Sequence, residues 1–295
     1  MTGVVRASIL LSLAGSHIFL RKADTVAENV TRSRIVKDLQ VLGIKRGDIL
    51  AVHSSLKSMG YVDGGAETVI AALKEAVGPS GTIIMPVFSK PVDIFVARDE
   101  CCTTGTVPET FRKSNGTLRS LHPTHSVAAW GKHAHDIVRE HQLLQALGVN
   151  SPFHRLAKHG GKVLMVGVPY TRASIVHVAE SIAKVPYQNV FYPGYKRETM
   201  VIAANGKRFK YTPVDNPGDS SAFGVVEELL KSEGKLVQGK IGEASCTIAL
   251  GKDILKASLA VMAKDGAGLL CRKPECVVCS RRRAIVAKFR WRHKA

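Results

Sequence analysis

The run that most clearly suggests chemistry is Thr171-Arg-Ala-Ser-Ile-Val-His-Val-Ala-Glu180. A helix here would place Ser174, His177 and Glu180 at i, i+3 and i+6, along one stripe. A carboxylate one turn from an imidazole accepts its ring N–H, fixes the tautomer and raises the basicity of the opposite nitrogen. That nitrogen can take a proton from a nucleophile, while a hydroxyl one turn earlier polarises a carbonyl or stabilises developing charge. The same residues also suit a surface helix with an incidental His–Glu pair. Position favours the chemical reading. The run follows an apolar strand, Lys162–Val168, through Gly167-Val-Pro169, the strand-end location where α/β sheets place ligand sites.

Three further clusters carry residue types that could do chemistry. His53-Ser54-Ser55-Leu56-Lys57 also follows an apolar strand; its hydroxyls and backbone N–H groups suit a phosphate, with Lys57 as a point charge. A serine-capped turn is the plainer alternative. Neither a Walker sequence nor G-x-G-x-x-G is present, so a nucleoside triphosphate or dinucleotide fold is not supported. Arg119, His122, His125 and Ser126 gather donors directly before a strand, suited to an anionic ligand or a cleft wall. A metal on His-x-x-His would lack a nearby carboxylate. Finally, Cys271-x4-Cys276-x2-Cys279 has zinc-like spacing, but only three thiols lie together and His293 is a distant fourth candidate. Free thiols, buried or on the surface, are the preferred reading of that spacing.

Several elements must position these groups. Ile35, Val36, Leu39 and Leu42 predict a helix capped by Thr31 and ended by Gly43. Strands are expected over 48–53, 82–88, 126–130 and 162–168, with helices from Ala66, over Pro108–Lys113 and from about Ser174 to Ala183. Strands near 198–204 and 207–212 precede a helix at 222–233, strands between 236 and 250, and a helix over 253–263. The stretch 89–125 is poor in periodicity and reads as a functional loop or lid. Early alternation and late paired strands predict a three-layer α/β sandwich with a mixed central sheet.

The 295 residues, 45% apolar, are enough to bury a substantial core and too apolar for global disorder. No apolar run reaches the ~18–20 residues of a membrane span. The net charge of +18 invites a basic nucleic-acid-binding module. However, Arg281, Arg282, Arg283, Lys288, Arg290, Arg292 and Lys294 supply seven of those charges in a 281–295 tail. Only Phe289 and Trp291 there could stack on bases, so a solvated charge run is expected instead. Six clustered cysteines point to a reducing, cytoplasmic setting. Residues 1–28 read as a poorly defined extension. Their short apolar stretch only weakly imitates a secretory signal, and His17 and the Arg21-Lys22 pair argue against one.

Taken in order, Leu42-Gly-Ile-Lys-Arg-Gly-Asp-Ile-Leu-Ala-Val-His-Ser-Ser-Leu56, Gly64-Gly65, Gly81-Thr-Ile-Ile-Met-Pro86, Pro108-Glu-Thr-Phe-Arg112, Arg119-Ser-Leu-His-Pro-Thr-His-Ser-Val127 and His177-Val-Ala-Glu180 resemble the aminoglycoside 3-N-acetyltransferase family, also called the antibiotic N-acetyltransferases. The similarity covers roughly residues 30–280, and Leu270–Cys279 resembles the C-terminal ends of some members; an acetyltransferase domain over 29–280 is therefore expected. The resemblance implies a fold distinct from the GNAT acetyltransferases, with acetyl-CoA as donor and no metal required. It implies that His177 is the base and Glu180 its support, with Ser174 standing where the family usually has Thr. It further implies that His53, Ser54, Ser55, Leu56 and Lys57 hold the CoA pantetheine and phosphates, and that Arg119, His122 and Ser126 border the same cleft.

The acceptor stays open. Aminoglycosides are polycations, yet segment 89–125 offers Asp93, Asp99, Glu100 and Glu109 against Lys90, Arg98, Arg112, Lys113 and Arg119. The expectation is acetylation of the 3-amino group of a 2-deoxystreptamine aminoglycoside, with a non-aminoglycoside amine as the alternative. The expected partners are that small-molecule amine and acetyl-CoA, with no nucleic acid and no membrane. The sequence leaves a homodimer open.

Overall fold

The computed structural model describes residues 29–191, 198–215 and 217–294; the extension over 1–28 lies outside them. Helix α1 (Arg32–Val41) opens where Thr31 accepts the N–H of Arg34 at 3.3 Å, and Gly43 leaves it in the left-handed region at φ 80°. The chain continues through β1 (Ile49–Ser54), α2 (Gly65–Val77), β2 (Thr82–Pro86), β3 (Ile94–Val96), α3 (Thr106–Lys113), β4 (Leu118–Arg119) and β5 (Val127–Gly131). Then come α4 (Ala134–Val138), α5 (Pro152–Lys158), β6 (Lys162–Val166), α6 (Val176–Ile182), β7 (Thr199–Ile202) and β8 (Arg208–Tyr211). The last elements are α7 (Gly224–Ser232), β9 (Val237–Ile241), β10 (Ala244–Leu250), α8 (Gly251–Lys264) and α9 (Val277–Phe289).

Seven strands form the main sheet in the order β4-β5-β2-β1-β6-β10-β9. β2, β1 and β6 are parallel, while β4, β5, β10 and β9 run antiparallel to their neighbours, so the sheet is mixed. Alternation along each strand feeds two cores. Leu50 and Val52 of β1, Ile83 and Met85 of β2, and Leu164 and Val166 of β6 pack with α1 and α2. Ile49 and Ala51, Ile84, and Val163 and Met165 pack on the opposite face with α5, α6 and α8. A sheet buried on both faces is the middle of three layers, as expected.

The segment 89–125 is more ordered than its composition predicts. β3 pairs in parallel with β7, about a hundred residues away in sequence, and β7 with β8, forming a second, three-stranded sheet. Partners so distant leave no local periodicity to read. Helices α4 and α5 also escape the sequence pattern, each being short and holding partly polar faces. The domain boundary expected at 280 falls inside α9. Its residues Val278, Cys279, Arg282 and Val286 are buried, so the start of the basic run is docked on the domain rather than solvated.

Candidate active site

β1 and β6 are hydrogen-bonded neighbours, but the chain leaves β1 toward β2 on one side and leaves β6 toward α6 on the other. A crevice opens at such a switch in direction, beyond the carboxyl ends of the strands. The loops after β1 and β6 are held close together there. Ser58 Oγ donates to the Gly167 carbonyl at 3.1 Å, and Gly167 turns at φ 60°, where a Cβ would run into Ser58. The resulting cavity has a volume of about 740 Å³. The loop His53–Lys57 forms one wall, Ser174, His177 and Phe223 another, and residues 103–106 with Pro108 close it from the 89–125 segment.

His177 faces this cavity from the first turn of α6. Its Nδ1 pairs with Glu180 Oε2 at 2.7 Å, leaving Nε2 as the other ring nitrogen, and Phe223 meets the ring edge-on at 4.7 Å between centroids. The surface-helix alternative fails, because Val176 through Ser181 are all buried. Burial works to raise the Glu180 pKa. The hydrogen bond and charge of His177, a hydrogen bond from Tyr187 and the charge of Arg282 outweigh it, so the carboxyl sits below its ordinary value and stays ionised.

Ser174 departs from the expected stripe. α6 begins at Val176, and Ser174 lies before it in a series of i→i+3 turns: Val176 N–H to Ala173 O, His177 N–H to Ser174 O and Val178 N–H to Ile175 O. The hydroxyl-bearing residue is still one turn before His177 and still lines the cavity, but it rests on tighter 3₁₀-type geometry.

The loop after β1 brings His53, Ser54, Ser55, Leu56 and Lys57 together on the cavity. His53 stacks on Phe153 at 5.7 Å between centroids, and burial lowers its pKa to about 4. Its Nε2 and the Ser54 hydroxyl are buried without a hydrogen-bond partner among the described residues. Such groups are costly unless a ligand or water satisfies them.

Arg119, His122 and Ser126 are not on the cavity. Arg119 spends its guanidinium on Ser126 Oγ at 2.9 Å, on the carbonyls of Ala97, Glu100 and Val87, and lies over the Phe95 ring. Ser126 Oγ in turn donates to Val87 O at 2.9 Å. His122 Nδ1 accepts the N–H groups of Thr124 and His125, and its Nε2 meets Tyr211 OH at 2.7 Å, so no ring nitrogen is left for a metal. These three residues brace the cavity wall from behind. Their neighbour His125 is the one that reaches the cavity, packed on Phe88; burial, then the proximity of His177 and His141, push its pKa down to about 3.

The chain matches the family model described as aminoglycoside 3-N-acetyltransferase over residues 51–263. It belongs to this family of acyltransferases. One relative of this N-acetyltransferase is the SPbeta prophage-derived aminoglycoside N(3')-acetyltransferase-like protein YokD of Bacillus subtilis, 32% identical over 74% of this chain and 87% of that protein. Another is aminoglycoside N(3)-acetyltransferase III of Salmonella sp, 30% identical over 79% of this chain and 92% of its own. Among solved structures, aminoglycoside acetyltransferase AAC(3)-IVa in complex with a gentamicin superposes with a TM-score of 0.78 at 27% identity, covering 88% of this chain and 99% of that one. AAC-IIIb bound to CoASH superposes with a TM-score of 0.69 at 26% identity, over 80% and 97% of the two chains.

Sequence reasoning missed two residues that the fold gathers around the His177–Glu180 pair. Tyr187 donates to Glu180 Oε1 at 2.7 Å, and Asp215 lies behind the dyad, accepting the Ala146 N–H at 2.9 Å. Burial raises the Asp215 pKa to about 6, with the Ala146 bond and the charge of His177 opposing. Both come from stretches without periodicity, and no local signal marked them.

Proposed function

We propose that the protein transfers the acetyl group of acetyl-CoA to the 3-amino group of a 2-deoxystreptamine aminoglycoside, with His177 as general base. The observation that carries this reading is the buried His177–Glu180 pair opening onto a cavity large enough for both substrates' reacting ends. Its family and the CoA-bound and aminoglycoside-bound neighbours support it.

The ammonium first gives one proton to solvent to expose its lone pair, and as the nitrogen attacks, His177 Nε2 takes the second proton, the one the nitrogen sheds on becoming an amide. The amine nitrogen forms a bond to the thioester carbonyl carbon, and the carbon–sulfur bond then breaks. The departing thiolate recovers the proton from the imidazolium. Glu180 stays ionised throughout and stabilises that imidazolium. Ser174 supports the carbonyl oxygen as it becomes an oxyanion. His53 Nε2 and Ser54 Oγ give the pantetheine arm its polar partners, and Lys57 and Arg172 at the rim face the CoA phosphates.

One observation favours a second reading. Among the described residues, the cavity is lined by Lys57 and Arg172 and by no aspartate or glutamate. Two of the four acids of segment 89–125 are engaged elsewhere: Glu109 binds Arg112 and Lys113, and Asp99 binds Arg98. A less cationic amine acceptor suits such a wall better than a polycation.

Thiol release from acetyl-CoA decides between them, measured with a 2-deoxystreptamine aminoglycoside, an amino-phosphonate and a simple polyamine. Turnover with the first supports the aminoglycoside reading. Turnover confined to the others keeps the His177 chemistry and moves the acceptor. Silence on all three, with CoA still bound, sinks the aminoglycoside reading and leaves a transferase whose acceptor is another amine.

A further inference from the structure

Outside the cavity, the three thiols of Cys271, Cys276 and Cys279 all lie within 4.8 Å of one another. Tetrahedral coordination at a Zn–S distance of roughly 2.3 Å puts neighbouring sulfurs roughly 3.8 Å apart, a contraction that side-chain rotation can supply. The fold builds this cluster from two directions. Cys276 caps α9 and Cys279 lies in its first turn, three residues on, so both face the same side; Cys271 comes from the loop after α8. The Asp219 carboxylate lies beside Cys271, and its Oδ1 takes the Ser221 N–H at 2.8 Å. Arg283 donates to the Cys271 carbonyl and to Ser280 Oγ, bringing a cation beside the cluster.

We propose that the three clustered thiols of Cys271, Cys276 and Cys279 bind one zinc ion, with the neighbouring Asp219 carboxylate turning in as the fourth ligand, in a structural site that staples α9 to the wall of the catalytic cavity. Thiolates with one oxygen donor suit a borderline-soft ion with tetrahedral preference. Three thiolates and a carboxylate leave the zinc-loaded site anionic. Arg283 and the N-terminal end of α9 offset that charge.

The staple has a mechanical purpose. Of the 13 residues of α9 only four are buried, one of them Cys279 itself and another the charged Arg282, so apolar packing holds the helix weakly. Yet α9 supports the site. Arg282 packs beneath Gly218, where a Cβ would strike its guanidinium, donates to Val190 O at 2.8 Å and lies over the Tyr187 ring at 5.4 Å. Tyr187 holds Glu180. Asp219 stands between Gly218 and Ser220, two residues of the cavity lining. Zinc joining Asp219 to the first turn of α9 fixes both at once. None of its ligands is His177, Glu180 or Ser174, and the ion takes no part in proton or acetyl transfer.

The test is made on the untagged full chain, produced with zinc in the medium and dialysed against a weak chelator. Elemental analysis is expected to find about one zinc per chain. The cobalt-exchanged protein is expected to show the thiolate-to-cobalt charge-transfer band and the strong visible bands of a tetrahedral site. Cys276→Ser and Cys279→Ser should each lower the retained zinc about tenfold or more, and Asp219→Ala should weaken affinity by about tenfold. If the serine variants do not fold, the wild-type protein still decides. Removing zinc with a strong chelator should lower its Tm and make three previously protected thiols reactive. Folded wild-type protein without zinc, a cobalt spectrum lacking the thiolate band, or a disulfide among the three cysteines in the isolated protein would overturn the proposal. Unchanged zinc affinity in Asp219→Ala would remove that ligand from it. None of these readouts depends on which amine is acetylated.

Discussion

The Tyr187 hydroxyl donates to Glu180 Oε1 at 2.7 Å, while the other oxygen of the same carboxylate holds His177 Nδ1 at 2.7 Å. Both oxygens of Glu180 are thus committed, and the imidazole is fixed in one tautomer and one orientation. Tyr187→Phe leaves a buried carboxylate oxygen without its donor, at a cost of about 1–3 kcal/mol. We expect kcat to fall roughly tenfold with little change in the KM for acetyl-CoA. A KM effect without a kcat effect would assign Tyr187 to substrate binding instead.

On the proposed mechanism, replacing His177 removes the base. His177→Ala should lower kcat about 10²–10⁴-fold while acetyl-CoA still binds, read by steady-state thiol release alongside calorimetric titration. Near-normal turnover would mean that another group accepts the proton. Ser174→Ala should cost roughly 10²-fold in kcat, as expected for one oxyanion donor. An unchanged rate would leave only backbone donors for that task.

Lys57 and Arg172 are exposed on the cavity rim. Their joint replacement by alanine should raise the KM for acetyl-CoA about tenfold and flatten its dependence on salt, with kcat preserved. Dephospho-CoA derivatives should feel the loss less. Equal losses with both donors would place the phosphates elsewhere.

Acid should unfold the protein earlier than its carboxylates alone require. His53, His122 and His141 are buried. Burial lowers His53 and His141 from 6.5 to about 4, and with the nearby His141 and His125 it lowers His122 well below 6.5. As pH falls through 6.5 the unfolded chain takes up protons that the folded chain refuses, so stability is lost downward across that window. His53 and His141 each account for roughly 3 kcal/mol by about pH 4. Asp215, raised by burial from 3.8 to about 6, acts in the opposite sense: the folded chain keeps a proton there, favouring the fold as pH falls. His125, lowered by burial to about 3, adds a fourth such imidazole, and Asp215 does not offset the four, so the net effect is destabilising. Calorimetric Tm values from about pH 7 to about pH 4.5 should fall continuously, and His141→Gln, which retains polar partners for Ser120 and Ala146 O, should shallow the slope. A flat profile would show that these imidazoles titrate normally.

The sequence alone determined the parts governed by local periodicity and by short motifs. α1 with its Thr31 cap, the buried strands β1, β2 and β6, and the i, i+3 spacing of His177 and Glu180 are each written within a few consecutive residues. Chain order then placed the His53–Lys57 loop and the His177 segment after strands, and strand ends are where parallel sheets gather ligands. Tertiary structure decided what adjacency in sequence does not encode. Arg119, His122 and Ser126 carry the residue types of a binding site, yet the folded chain uses their polar atoms to join segments 87–89, 97–100 and 211, so they face away from the cavity. Tyr187 and Asp215 show the converse. Their side chains have no distinguishing pattern in sequence: Tyr187 acquires a role because the second oxygen of Glu180 is buried where water cannot supply a donor, and Asp215 because the fold buries its carboxyl behind the His177–Glu180 pair, on the Ala146 N–H.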